Sequence, residues 1–378
     1  MTNSLRNSLQ VASEQRLRAG DWVEVKSRDE ILASLDKDGN LDGMPFMPEM
    51  LKYCGHRFRV YKRAHKTCDY SQGMVSRRVP SAVHLEGLRC TGDAHGECQA
   101  ECLIFWKEAW LRPVEARIPS ATESPAREPA AQDRRTSPGT ERPTEADLLA
   151  ATRVASEPDV VYACQATTIL RFTSRLQPSE LDQYVEAYAS GNFRLRQMFA
   201  PLIFRVYERL VRSRLGKTGI PQGIYDAFQR LRGGIPYPNR PGLIPSGQKT
   251  PRGDPLNLQP GEFVRVKSFN EILATINSEG LNRGLLFSQE LVPYCGQVFR
   301  VHSRVSRIVD ERNGKMLNFS NECIILENVI CQARYNAGLS FCPRSNYPYW
   351  REIWLERIGP DEVPAALGAA PACTASAM

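Results

Sequence analysis

Gly20-Asp21-Trp22-Val23-Glu24-Val25-Lys26-Ser27 returns later in the chain as Gly261-Glu262-Phe263-Val264-Arg265-Val266-Lys267-Ser268. The match runs without a gap through Tyr53-Cys54-Gly55, paired with Tyr294-Cys295-Gly296, as far as Cys90, which pairs with Cys331. Beyond that point the second copy is three residues longer, so Cys98 answers to Cys342, and Trp106 and Trp110 to Trp350 and Trp354. A repeat of this length marks an internal duplication and sets the domain plan. The plan is α+β and multidomain, with two duplicated small, mainly β modules flanking an all-α domain. Its segments are a polar lead (1–18), module one (19–114), a linker without apolar periodicity (115–143), a helical domain (144–232), a Pro/Gly-rich spacer (233–260), module two (261–359) and a small-residue tail (360–378).

Within each copy the spacing predicts a short strand, then a capped helix. Ser27 with Glu30, and Ser268 with Glu271, have the spacing at which the serine oxygen takes a helix amide and the glutamate returns to the serine amide. Several short strands with turns between them follow, which suits a small, partly open barrel or a bent sheet. The opening Gly-Asp/Glu-aromatic-Val-x-Val resembles the first strand of SH3-like barrels, including the KOW-type modules of ribosome and transcription proteins. The resemblance implies a small β-barrel fold and leaves function to be argued from sites.

Between the modules, helices are expected near 145–156, 160–173, 178–189, 192–214 and 221–232. In the longest, Leu195, Phe199, Ile203, Val206 and Leu210 recur at helical spacing, which predicts one buried face. Arg194, Arg205, Arg209 and Arg212 lie away from that face, as a solvated stripe or a site for an acidic partner or nucleic-acid phosphate. A second basic strip in module one includes Arg57, Arg59 and Lys62. The four repeated tryptophans are expected in the cores, and Glu108 and Glu352 are placed to pair with Arg63 and Arg304.

The 378 residues include eleven cysteines, carry a formal net charge of +7 and are 42% hydrophobic. This balance is that of a soluble globular protein, with no run long enough for a membrane span. The first residues lack the apolar stretch of a secretory signal, so a cytoplasmic location is expected, and with it reduced or metal-bound thiols rather than disulfides. Module one carries Cys90-x4-His95-x2-Cys98-x3-Cys102, and thiolate and imidazole groups this close in sequence suit tetrahedral zinc. The expected ligands are the matched trio Cys54, Cys90 and Cys98, with His95 or Cys102 as the fourth. In module two the trio is Cys295, Cys331 and Cys342, with Cys323 and His302 as the spare candidates. Small hydrophobic core thiols are the competing reading.

The sequence contains no Gly-x-x-x-x-Gly-Lys-Ser/Thr phosphate loop, no Gly-x-Gly-x-x-Gly after a strand and no Gly-x-Ser-x-Gly elbow. The reading is therefore a non-catalytic adaptor or binding protein with zinc-stabilised modules and a protein partner. Two alternatives stand beside it: a metal- or thiol-dependent enzyme with its site in module one, and an RNA-binding protein using the basic strips.

Overall fold

The computed structural model describes residues 16–115, 142–155, 160–213, 218–336 and 338–364. The polar lead almost to its end, most of the first linker and most of the tail lie outside the described residues. The chain is α+β, with an antiparallel sheet in each module and the longer helices between them; three short strands also lie in that middle segment, which is therefore not all-α as expected.

Module one opens with β1 (Trp22–Val25) and α1 (Arg28–Leu32). The capping box at Ser27 and Glu30 forms as the spacing requires. A small hairpin, β2 (Asn40–Leu41) and β3 (Met44–Pro45), leads to a 3-10 turn at Pro48–Tyr53. Then come β4 (Arg57–Arg63), β5 (Lys66–Asp69), β6 (Val75–Arg78), β7 (Ala82–Leu85), β8 (Trp106–Lys107) and β9 (Leu111–Val114). The main sheet has the order β8-β7-β4-β1-β9, with antiparallel pairing throughout.

The middle of the chain contains α2 (Glu145–Ala151), β10 (Arg153–Ala155), β11 (Val160–Tyr162), α3 (Ile169–Phe172), β12 (Ser174–Arg175), α4 (Asp182–Ala189), α5 (Leu195–Arg212) and α6 (Ile220–Arg232). The helix expected over 160–173 is replaced by a strand and a single helical turn. β-Branched Val160 and Val161 favour extended backbone. Module two then captures the strand, because Tyr162 N donates to Gly314 O at 2.7 Å and Val161 bridges to Lys315.

Module two repeats the plan with β13 (Phe263–Val266), α7 (Phe269–Leu273), β14 (Leu281–Asn282), β15 (Leu285–Leu286), a 3-10 turn at Gln289–Tyr294, then β16 (Val298–Val309), β17 (Met316–Leu326) and β18 (Leu355–Arg357). Its sheet order is β17-β16-β13-β18, extended by an isolated Ile324–Trp350 bridge where β8 stands in module one. All four repeated tryptophans are fully buried. Phe46 meets Trp110 edge-on at 5.1 Å and Phe287 meets Trp354 at the same distance, so the two cores are built alike.

The strand entering each module is held by one device. Glu108 pairs with Arg63 at 2.6 Å, and Glu352 with Arg304 at 3.7 Å. Each pair also grips the backbone of one upstream leucine, through both its N–H and its carbonyl: Leu17 in module one, Leu258 in module two. The structural repeat therefore begins at these leucines.

The two modules face each other with matched contacts. Tyr61 OH and Lys62 Nζ donate to Ser345 Oγ at 3.4 and 2.9 Å. Their counterparts His302 and Ser303 meet Glu101, the counterpart of Ser345, at 2.9 and 3.1 Å. Glu101 and Ser345 both take the left-handed conformation, at φ 46° and 44°. Each contact answers the other across the seam, as in an isologous dimer interface, here within one chain.

The core of module one is not closed by its own residues. Leu148, Cys164, Ala166, Ile169 and Phe172 from the middle segment belong to the same buried cluster as Val23, Val60 and Trp106. A fragment ending at residue 115 leaves that cluster open to water, and is expected to lose cooperative unfolding. One continuing through residue 176 should retain it. Denaturant titrations of both fragments by circular dichroism check this, and a fully cooperative shorter fragment would overturn the assignment.

Candidate metal centre

Between β7 and β8, residues 86–105 form no helix or strand, so their backbone groups must find individual partners. Cys90 N donates to Cys102 O at 2.8 Å, folding the loop back on itself. His95 N and Glu97 N both donate to Gly92 O at 3.0 Å. Gly92 has φ 82°, and a Cβ there would lie 2.1 Å from Cys98 O, so only glycine fits. The far end of the loop is fixed by Gln165, which bonds both the N–H and the carbonyl of Phe105 at 2.8 and 2.9 Å. His84 Nδ1 donates to Ile104 O at 2.9 Å.

This folding brings Cys90 Sγ to 3.4 Å from His95 Nε2 and to 3.5 Å from Glu49 Oε1. Glu49 comes from the 3-10 turn at Pro48–Tyr53. The three ligand atoms lie within 4.8 Å of one another, the one such group among the described residues, and they could hold a metal ion. Glu49 Oε2 and His95 Nδ1 are buried without hydrogen-bond partners. Beside them is a cavity of about 40 Å³, lined also by Cys98, Cys102 and Cys164. Burial, and after it the negative charge of Glu49, pushes the Cys90 thiol well up. Burial likewise takes Cys98, Cys102 and Cys164 to about 11 and lowers His95. A divalent cation would reverse the preference of a ligating thiol, releasing its proton, and would reinforce the neutral form of His95.

The expected ligands divide unevenly. Cys90 and His95 come together, and Cys102 lines the same cavity. Cys98 lines it too, but its sulfur accepts a hydrogen bond from Val309 N of module two at 3.2 Å. Cys54 packs, half-buried, against the module core and does not line the cavity, because the Tyr53-Cys54-Gly55 turn is tied to β1 by Gly55 N donating to Val25 O. Cys295 occupies the matching place in module two. Cys323 is buried beside Val305 and Ile325, accepting from Arg351 at 3.5 Å. Cys331 and Cys342 gather at the seam with Cys68 of module one. There Cys68 hydrogen-bonds Cys342, lowering the pKa of Cys342 and raising its own.

Glu49 and Cys164 were not among the sequence candidates. Glu49 had a signal, since its repeat partner is Glu290, and a carboxylate kept in both copies beside apolar residues asks for a partner. Glu290 has one of a different kind. It is buried, and accepts from the backbone N–H groups of Arg334, Tyr335 and Asn336 at 3.0, 2.6 and 3.0 Å. These residues occupy the loop position that carries His95 in module one. Cys164 lies far along the chain with no repeat counterpart, so only the fold reveals it.

The basic strip of module one is largely occupied internally. Arg57 pairs with Glu24 at 3.1 Å, Arg59 lies 3.7 Å from Glu86, and Lys62 reaches across the seam. In the long helix Arg205 bonds Tyr184 and Arg212 pairs with Glu208 at 2.7 Å, while Arg194 and Arg209 are exposed. No helix among the described residues is long and apolar enough to cross a membrane. No protein-family model matches the chain, and neither a curated protein nor a solved structure matches it.

Removing the buried Glu290 carboxylate leaves three part-buried amides without this acceptor. Glu290→Ala is therefore expected to destabilise the protein by about 3 kcal/mol or more in urea unfolding, with Glu290→Gln intermediate. An effect below about 1 kcal/mol would show that the loop is held otherwise.

Buried His65 and His84 stay neutral, their pKa values lowered mainly by burial to about 3. The unfolded chain takes up these protons near pH 6.5, so stability is complete above that pH and is lost as pH falls towards 3, by up to about 1.4 kcal/mol per pH unit for each ring. His84→Asn should make that slope shallower by one proton between pH 6 and 4, and an unchanged slope would remove His84 from the account.

Proposed function

We propose that the chain is a non-catalytic binding protein, a scaffold of two paired SH3-like modules in which Glu49, Cys90 and His95 hold a structural zinc ion. The observation that carries the reading is the grouping of three ligand atoms within 4.8 Å beside a cavity of about 40 Å³. That space suits an ion. It is far below the roughly 300–1,000 Å³ of small-molecule sites. A site this small, with His95 buried and Glu49 and Cys90 half-buried, favours a structural role over a catalytic one, which needs an open coordination position. Cys102 and Cys164, on the same cavity wall, are the candidates for a fourth ligand. The SH3-like reading is supported by the five-stranded antiparallel sheet and the short connecting hairpins. The free thiols are those a reducing, cytoplasmic compartment would keep.

The matched seam alters how such a protein would present itself. The modules bury matched residues against each other, so a partner would meet one composite surface rather than two tethered copies. A second reading, ligand binding or catalysis, is favoured by a larger cavity of about 650 Å³ on the module two side of the seam, lined by Tyr347, Tyr349, Glu311 and Arg312, with Cys102 at its wall. A metal at Glu49–Cys90–His95 that exchanges a water ligand would connect the two cavities chemically.

Metal analysis of the purified full chain is expected to give about one zinc per chain rather than two, because Glu290 clamps the module two loop by hydrogen bonds alone. Cys90→Ala and His95→Ala should remove the ion and lower the melting midpoint, whereas Cys54→Ala should leave the metal content unchanged. Zinc well below one equivalent, or retained in both ligand variants, would end the proposal. Cobalt substitution separates the readings: a four-coordinate spectrum unaffected by added anions supports the structural role, and a shifting spectrum supports the second.

A further inference from the structure

The longest helix contradicts its own sequence pattern. Leu195, Phe199, Ile203, Val206 and Leu210, expected in the core, are all exposed, Ile203 at 66% and Val206 at 70%. The helix is anchored by its opposite side. Phe204 meets Tyr335 of module two edge-on at 5.2 Å and lies 6.1 Å from Tyr237, and Met198 packs with Ala187 and Phe341. Glu208 is buried on that side, paired with Arg212 and bonded by Asn239 at 3.1 Å. α6 behaves in the same way: Tyr225 turns inward to Phe204 and Tyr207, while Ile220, Ile224, Phe228 and Leu231 face water, Leu231 at 88%. Both helices thus present apolar faces that nothing in the described chain covers.

The charge around these faces identifies what fits them. At about 100° per residue Arg196 and Arg209 fall on opposite flanks of the α5 apolar stripe, and both are exposed, as are Arg230 and Arg232 at the end of α6. The acidic side chains of α5 and α6 are Glu208 and Asp226, and both are already paired, with Arg212 and Arg240. From Arg194 to Arg232 the sequence holds nine Lys/Arg against two Asp/Glu, a surplus equal to the +7 of the entire chain. The rest of the protein is electrically balanced. A second copy docking here would bring the same surplus against itself. Nucleic acid would neutralise the arginines but has no use for Ile203, Val206 or Leu231. A bilayer with acidic headgroups takes both parts, the arginines at the phosphates and the apolar face at the acyl boundary.

We infer that the outer faces of α5 and α6 dock the protein on an anionic lipid bilayer, as helices lying in the interface without spanning it. The inference is independent of the metal reading. Flotation of the full chain with phosphatidylcholine vesicles, with and without about 30% phosphatidylglycerol, tests it. The expected result is binding only to the anionic vesicles, weakening as salt rises. Ile203→Glu with Val206→Glu, and separately Arg196→Glu with Arg209→Glu, should each weaken binding about tenfold or more. Because all four side chains point to water, melting midpoints should be unchanged. Absence of binding, or variants that bind like the parent, overturns the inference. So does a dimer in solution that Ile203→Glu with Val206→Glu dissociates without lipid binding, which assigns the face to a second copy. Binding to duplex nucleic acid that needs the arginines but not Ile203 and Val206 overturns it in favour of a polyanion site.

Discussion

Each module contains a long loop without helix or strand among its described residues, 86–105 in the first and 327–336 with 338–349 in the second, and the molecule depends on how those loops are held. A buried irregular segment carries amide and carbonyl groups that water cannot reach, and each one left unpaired costs about as much as a lost hydrogen bond. In module two the cost is met by one carboxylate: Glu290 accepts from three consecutive amides. In module one the equivalent carboxylate, Glu49, faces Cys90 and His95 instead, and its second oxygen is left without a partner. The loops also carry the seam, since Glu101, Cys98, Cys342 and Ser345 all belong to them. A loose loop would therefore loosen both its own module and the pairing of the two.

The duplication, the capping boxes, the buried tryptophans and the arginine–glutamate pairs were legible because each is local or is written twice. Ser27 needs only Glu30 to form its box. Trp110 and Trp354 are recognisable as core because both copies keep them. The candidate metal centre was half legible. Cys90 and His95 lie in one short loop, whereas Glu49 approaches from a separate turn and Cys164 from beyond the linker. Cys54 lies apart from that group. Its match with Cys295 reflects a shared half-buried packing position, and repetition alone does not distinguish a ligand from a small apolar side chain.

The middle segment misled for physical reasons of its own. Helical periodicity gives the face on which apolar residues gather but not the face that packs. In α5 the packed side is built from Met198, Phe204 and buried Glu208, which do not stand out as a stripe, and the stripe itself is turned to solvent. Periodicity places Val160 and Val161 in a helix, whereas their β-branched side chains, the pairing with β10 and Gly314 O at the hairpin tip of module two hold them as strand. Both errors have one source: the segment is shaped by the modules on either side, and its own sequence states only part of that dependence.

Pairing within one chain also explains why the copies could diverge where they did. In a symmetric dimer of identical modules, any change at the seam appears twice and must suit both sides. Once the copies are joined, one side can change alone. Tyr61 and Lys62 meet a serine, and their counterparts His302 and Ser303 meet a glutamate, so each side has adjusted its polar match separately. The same freedom applies inside the modules. A single carboxylate position, Glu49 or Glu290, faces thiol and imidazole in one copy and backbone amides in the other. The partner module braces each loop, Val309 N donating to Cys98 Sγ in one and Lys66 Nζ and Ser76 Oγ donating to Ser340 O and Gly338 O in the other. One carboxylate position can therefore serve two different loops, because each loop is also held from across the seam.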